Sequence, residues 1–435
     1  MDRTAGQPPI LRRQAPALAT VALVAFSMVS SVWLGPRLLG NKDWSLPHDL
    51  WGTLVAAHRL VHGDIAGLYA PPTGLVTFPG AAVLLVPVAA VIDAAGLSLR
   101  LPGPHNPHPG AWLLAGPYTI IASAIALFAA DAIAEQLGAN RPRRAVLAAA
   151  GAIALWNVAG QWGHPEDAFA VGLLLYGILA LRGAGPARAG WLAGAAIAVQ
   201  PLTLLALPFV LMAAEPRRRP GFIARAAAPG IVLLAAAAAA NWSATIHAVT
   251  GQPNWPAVDH PTPWTAMAAH LSGGAVAAGP ARALTILVAC GCALAAGRRW
   301  HQAGQAPGWE PAALWQLLWW SAAAMALRCA AETVMVAYYI WPAIALALIV
   351  ASRSWSRLAG TAAAAVALTI LAQAQWRGIW SWWLPIIALL GLALMFAGAP
   401  SRINRYTYIS DTSPPPTVVA LRNLADARTT TRPSY

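Results

Sequence analysis

Apolar residues along this chain come in long blocks separated by short polar interruptions. The blocks are Ala17–Leu34, Ala111–Leu137, Ala145–Ala159, Ala168–Leu181, Ala226–Ala240, Ala281–Ala296, Ala312–Leu327, Val334–Val350, Leu358–Ala372 and Leu384–Met395. Their lengths approach what an α-helix needs to cross roughly 30 Å of hydrocarbon. Two further blocks, Phe78–Gly96 and Ala189–Met212, are interrupted at Pro87 and at Gln200-Pro201. They read as short or re-entrant helices that enter the bilayer without spanning it. Irregular backbone at that depth survives only inside protein or along a wet cavity, so broken helices point towards a site.

The polar interruptions divide into two kinds. Arginines gather at Arg12–Arg13, Arg141–Arg144, Arg182–Arg188, Arg217–Arg225, Arg298–Arg299, Arg353–Arg357 and Arg402–Arg405. Such clusters mark the cytoplasmic side. The other kind (Asn41–Pro79, Trp156–Asp167, Asn241–Pro280, Arg328–Thr333 and Gln373–Trp383) then faces outward and holds nearly all the remaining polar chemistry. The expected architecture is an all-α polytopic membrane protein. It has about ten spanning helices plus re-entrant or interfacial ones, with both termini cytoplasmic. One membrane domain covers residues 14–400, after a cytoplasmic segment 1–13. The tail 401–435, rich in Pro, Thr and Arg, reads as disordered and cytoplasmic. The first span lacks a small-residue cleavage site and reads as a retained helix.

Composition agrees. Of 435 residues, 58% are hydrophobic and 10% charged, against about a quarter charged in soluble domains. A net charge of +13 would suggest a nucleic-acid partner in a soluble protein. Here the arginines sit in the short loops and set topology, so no nucleic acid is implied. Cys290, Cys292 and Cys329 lie in or beside apolar blocks and read as packing residues, without the spacing of a disulfide or zinc site.

The Asn41–Pro79 loop carries three of the chain's 15 acidic residues, Asp43, Asp49 and Asp64. Leu50, Leu54, Ala57 and Val61 form an apolar stripe, while His48, His58, Arg59 and His62 fall elsewhere. That spacing predicts an amphipathic interfacial helix, opened by Asp49 and closed at Gly63. Asp49 is either a general base for a sugar or lipid hydroxyl or simply a helix cap. Asp43 and Asp64 are weaker candidates, of a type that favours turns. In Gly163-His164-Pro165-Glu166-Asp167, the two carboxylates suit a helix N-terminus; alternatively His164 and one of them face the same cavity as Asp49. Such a trio holds a divalent metal in principle, but no ligand spacing is diagnostic, and neither metal nor cofactor is assigned.

Arg328 stands as the one arginine on the outer side away from any basic cluster. It either pairs with Glu332 one turn on or clamps a lipid phosphate. Tyr338 and Tyr339 follow it. The loop holding Trp255, Asp259, His260, Trp264 and His270 adds aromatic and polar groups suited to sugar rings. Trp376, Trp380, Trp382 and Trp383 read as interfacial anchors.

Several of these pieces together resemble a known family. Asp49-Leu50, Leu60-Val61-His62-Gly63, Leu68-Tyr69, Phe78-Pro79 and Leu84-Leu85-Val86-Pro87 stand in order, followed by Gly163-His164-Pro165, Leu181-Arg182-Gly183, Ala189–Gly194 and Gln200-Pro201-Leu202. This series resembles integral-membrane glycosyltransferases of the GT-C type, closest to bacterial polyprenyl-phosphate-mannose-dependent mannosyltransferases. The likeness runs over roughly residues 15–215, and beyond them in hydropathy alone. The chain departs from the family where Phe78-Pro79-Gly80 replaces Tyr-Pro-Pro and Gln200 replaces a lysine.

The resemblance implies a GT-C-like bundle in a bacterial plasma membrane. Its activity would be inverting transfer of a sugar, mannose foremost, from a polyprenyl-phosphate donor to a lipid or glycan acceptor. Transfer takes place on the extracytoplasmic side, in the making of envelope glycolipid or lipoglycan. The position matching the family's catalytic aspartate is Asp49. Phosphate chemistry, rather than the resemblance, places Arg328, Tyr338, Tyr339 and His260 at the donor phosphate. Asp43, His164, Glu166, Trp255 and Trp264 are the candidate acceptor and sugar contacts. Two rivals stand beside this reading: a transporter or lipid flippase, favoured by the broken helices, and a non-catalytic scaffold.

Overall fold

Helix boundaries in the structure fall close to the edges of the apolar blocks. The structure is a computed structural model, and it describes residues 13–30, 47–71, 75, 77–100, 110–183, 185–257, 259–278, 281–302, 311–373 and 378–398. The 401–435 tail and Trp376 lie outside them. The described chain is mostly helical: α1 (Gln14–Val29), α2 (His48–Val61), α3 (Gly80–Ala94), α4 (Ala111–Ser123), α5 (Ile125–Gln136), α6 (Arg141–Leu155), α7 (Pro165–Gly183) and α8 (Pro186–Val199). There follow α9 (Leu207–Ala213), α10 (Arg219–Ala240), α11 (Trp242–Gly251), α12 (Ala281–Gln302), α13 (Pro311–Ala331), α14 (Trp341–Ala351), α15 (Trp355–Leu371) and α16 (Ile379–Ala397).

Local chemistry accounts for several ends. The Asn140 side chain accepts from the Arg143 N–H at the start of α6, and Ser354 does the same for Arg357 at α15. Of the two expected interruptions, the one at Pro87 is absent, α3 running through it as one helix, and the break at Gln200-Pro201 is real. Gln200 is extended, and a 3-10 turn, Pro201–Leu205, separates α8 from α9.

Four helical segments among the described residues are long and apolar enough to cross a membrane: Ala111–Gln136, Pro216–Ala240, Arg282–Trp300 and Ile379–Ala397. All four turn large apolar side chains outward, including Ile121, Ile231, Val232, Leu284, Leu287 and Met395. In water such faces are a liability; against lipid they need no partner. Inside, the hydrophobic core runs through α5 to α9 and α13 to α16, while α2, α3 and the start of α4 build a second cluster around Leu54, Leu85 and Trp112.

The bundle has two chemically distinct ends. At one, Arg13 and Arg144 both pair with Asp131, and Arg144 also reaches Glu135 at 3.0 Å. Arg143 donates to the Ser352 carbonyl at 3.0 Å, and Arg182 to Gln136. These contacts gather the start of α1, the ends of α5, α7 and α14, and the start of α6. At the other end lie the start of α7, the end of α13 and the start of α14. Between the two runs α7, whose length at about 1.5 Å per residue is roughly 28 Å, close to the thickness of hydrocarbon.

One apolar block is not helical throughout. Val334–Met335, expected at the start of a span, form a short strand β2, antiparallel to β1, His260–Pro261. α14 begins only after a 3-10 turn, Ala337–Ile340. The β-branched run Thr333-Val334 finds backbone partners in the 252–278 loop. Thr262 Oγ1 donates to the Glu332 and Thr333 carbonyls at 2.6 and 3.0 Å, and Trp264 Nε1 to the Ala330 carbonyl at 2.7 Å. The loop is thereby tied across the junction of α13 and α14.

Candidate functional site

The amphipathic helix forms as its apolar stripe predicts. Leu50, Leu54 and Ala57 are buried while His48 and His62 stay in solvent. Asp49 does not cap it: Pro47 holds the N-cap position, with no side-chain cap hydrogen bond. The carboxylate instead points away from its own helix. Its Oδ2 lies 2.9 Å from His164 Nε2, and His164 Nδ1 lies 2.7 Å from Glu166 Oε1. The turn before α7 makes this approach possible. Gly163 adopts φ +74°, and a Cβ there would lie 2.7 Å from carbons of Leu50 and Pro47, so only glycine lets α2 and this turn come so close.

Glu166 is buried on the first turn of α7, where a carboxylate is favoured by the dipole. Asp49 is about half exposed, with 47% of its side chain accessible. The trio is therefore a relay with one open end and one closed end. Both imidazole nitrogens face carboxylate oxygens.

His164 is stacked on Tyr338, ring centroids 3.9 Å apart, and Tyr338 meets Tyr339 edge-on at 4.9 Å. Arg328 lies over the Tyr339 ring at 4.4 Å. Arg328 Nε donates to Glu332 Oε1 at 2.7 Å, and Arg282 Nη2 to Glu332 Oε2 at 2.9 Å. The pairing foreseen from the sequence is present, with a correction: Arg328 is not alone at this end, because Arg282 at the start of α12 shares its carboxylate. Two guanidiniums on one buried carboxylate leave one net positive charge beside the tyrosines.

Further groups complete the site. Asp167, next to Glu166, is buried and accepts from the Gln200 amide at the broken end of α8. Gln200 thus contributes a neutral donor here. Thr77 Oγ1 donates to Gln200 Oε1 at 3.4 Å, joining the start of α3 to the same network. Asp259 lies close enough to Asp49 and His164 to feel both charges.

The remaining candidates are spread around this centre. His260 stacks on Trp382 at 3.8 Å and makes no hydrogen bond or ring contact with Tyr338 or Arg328. Trp382 is buried there at 2% exposure, which does not fit an interfacial anchor, while Trp380 is 58% exposed. Trp255 and Trp264 are exposed on the overlying loop. Asp43 lies outside the described residues. Asp64 accepts from the Gly67 N–H at 2.8 Å, a turn role.

The protonation states follow from these neighbours. Burial alone would lower the His164 pKa; the Glu166 charge and the hydrogen bonds to Asp49 and Glu166 outweigh it and hold the ring well above 6.5. For Asp49, burial pushes upward, but the hydrogen bond and charge of His164, with His48, keep it below 3.8. Asp259 is pushed up to about 6, first by burial and then by the Asp49 carboxylate. Burial lowers His260. An ionised Asp49 beside an imidazolium is the state expected near neutrality.

A raised histidine pKa stabilises the fold fully below the unfolded value of about 6.5, and the contribution disappears as pH rises through the higher folded value. The melting-temperature gap between the wild type and His164→Gln should therefore narrow as pH rises above about 6.5. A gap that widens on the alkaline side contradicts the charged relay.

None of the protein-family models matches the chain, and none of the curated proteins matches it either.

Proposed function

We propose that the chain is an inverting membrane glycosyltransferase of GT-C-like architecture, with about ten spanning helices and its site on the extracytoplasmic side. The observation that carries this reading is the Asp49–His164–Glu166 relay, half open at Asp49, beside an arginine pair with net positive charge. Its place, one membrane thickness from the arginine-rich end, supports the sidedness. The resemblance of residues 15–215 supplies the reaction class.

In the proposed step the acceptor hydroxyl oxygen bonds to the anomeric carbon of a polyprenyl-phosphate sugar. The bond from that carbon to the phosphate oxygen breaks, and the phosphate leaves with the electron pair. The hydroxyl proton passes to Asp49 as the attacking oxygen grows acidic. His164 aligns the carboxylate and keeps it ionised at neutral pH; Glu166 holds the other ring nitrogen, Nδ1. Arg328 and Arg282, with the hydroxyls of Tyr338 and Tyr339, meet the charge that develops on the phosphate. His260, Trp255 and Trp264, on the loop above, are placed against the sugar or acceptor.

Incubating the purified protein in detergent with a panel of radiolabelled polyprenyl-phosphate sugars and membrane-extract acceptors tests the reading. Transfer from at least one donor is expected. Absence of transfer from every donor removes the enzymatic assignment and leaves a transporter or flippase, which detergent cannot score. A charged hydrogen bond is worth about 1.5–3 kcal/mol. Arg328→Ala should accordingly raise the KM for donor roughly 10- to 150-fold, with the acceptor KM little changed. An unchanged donor KM would take Arg328 away from the phosphate.

A further inference from the structure

α2 and α3 pack along each other, and their last turns meet far from Asp49. There His58 and His62, one turn apart on α2, face Asp93 on α3. His58 Nε2 lies 3.0 Å from Asp93 Oδ1, and His62 Nε2 lies 3.4 Å from the same oxygen. One ligand-type atom from each of the three falls within 4.8 Å of the others. We propose that His58, His62 and Asp93 form a binding site for one divalent transition-metal ion of the zinc class.

Geometry is the first argument. Tetrahedral zinc with bonds of about 2.0–2.1 Å holds its ligand atoms roughly 3.3 Å apart. The two measured separations lie on either side of that spacing, so small side-chain adjustments admit an ion. Ligand chemistry is the second. Two imidazoles and one carboxylate suit zinc and its neighbours and not magnesium or calcium, which prefer all-oxygen sets. The paired histidines at i and i+4 present both rings on one face of the helix. Partial exposure of all three side chains leaves a coordination position for water.

The third argument is electrostatic. α2 ends at Val61 and α3 at Ala94, so two helix C-termini converge here. Each carries partial negative charge from unpaired carbonyls, and a cation is favoured. Asp93, in the last turn of its own helix, sits where a carboxylate is opposed by the dipole unless a positive charge accompanies it. A divalent ion supplies that charge.

His58 lies roughly 13 Å along the helix axis from Asp49, so the ion does not touch the relay. It would clip the far end of α2 to α3 and steady the helix that carries Asp49. The proposal does not depend on the glycosyltransferase reading.

The test uses full-length purified protein stripped with chelator and titrated calorimetrically with zinc alone. One ion per chain is expected, with a melting temperature that rises on loading. His62→Ala and Asp93→Asn should each weaken binding by about 100-fold and abolish the thermal shift. Because these side chains reach solvent, the variants are expected to fold, which their unloaded melting curves check. Should they not fold, cobalt substitution of the wild type decides instead, through the visible absorption of a tetrahedral nitrogen and oxygen site. No stoichiometric uptake, or uptake unchanged in folded His62→Ala, overturns the proposal; so does a cobalt form without that absorption.

Discussion

Asp49→Asn is expected to reduce sugar transfer by about 100- to 10,000-fold, the usual contribution of a positioned general base, with expression and membrane insertion retained. The amide keeps the shape of the carboxylate and one acceptor oxygen for His164, so the turn at Gly163 and the packing of Leu50 are undisturbed. It cannot take a proton. The effect should therefore appear in kcat, while donor and acceptor KM change little. Near-wild-type turnover would remove Asp49 from the chemistry. His164→Gln should cost less, because that change alters the alignment and charge of the base and leaves the base itself in place.

The second large effect concerns stability. Glu332 is 2% exposed and holds both Arg282 and Arg328. Removing the carboxylate leaves two guanidiniums, one mostly buried and one partly exposed, without a counter-charge. Breaking a buried pair in this way costs about 3–5 kcal/mol, a large share of the 5–15 kcal/mol by which proteins are stable. Glu332→Ala is expected to fall below the yield and melting temperature needed for purification. Adding Arg282→Met and Arg328→Met should restore folding, because the uncompensated charges go with them. A Glu332→Ala protein as stable as the wild type would show that the cluster is not buried. Arg328→Ala alone should be mild for stability, since Arg282 still neutralises Glu332.

Much of the helical framework can be read from the chain, and the reason is physical. A segment that must satisfy its backbone in hydrocarbon has to be helical and continuously apolar, so block edges predict helix ends. The Gln200-Pro201 break follows from proline chemistry. The amphipathic α2 shows its phase directly, because its polar and apolar residues differ. Where the rule fails, at Val334–Met335, the apolar residues are covered by the 252–278 loop, and strand pairing satisfies their backbone as well as a helix would.

The site was only partly visible beforehand. Asp49, His164, Glu166, Tyr338 and Arg328 were individually nameable because polar groups near apolar blocks are rare. Arg282 had the same signal as Arg328, a lone arginine at the outward end of a span, and stood out less only because it opens its block. Asp259 carries no sign of its role in the sequence, and Asp167 shows only the marks of a helix N-terminus or of a carboxylate beside His164, not its bond to Gln200.

By itself, the sequence determined most of the helical segments, the break at Gln200-Pro201, which loops carry arginine, and that few carboxylates remain for anything else; it did not show that α3 runs unbroken through Pro87 or that Trp242–Gly251 is helical. Tertiary structure alone decided that His164 bridges Asp49 and Glu166, that two arginines share Glu332, that His260 lies on Trp382, and that His58 and His62 meet Asp93. The cause is rotational. A helix apolar on every face, such as α14, carries no periodic mark of which side turns inward, so packing sets its phase and with it the meetings between distant residues.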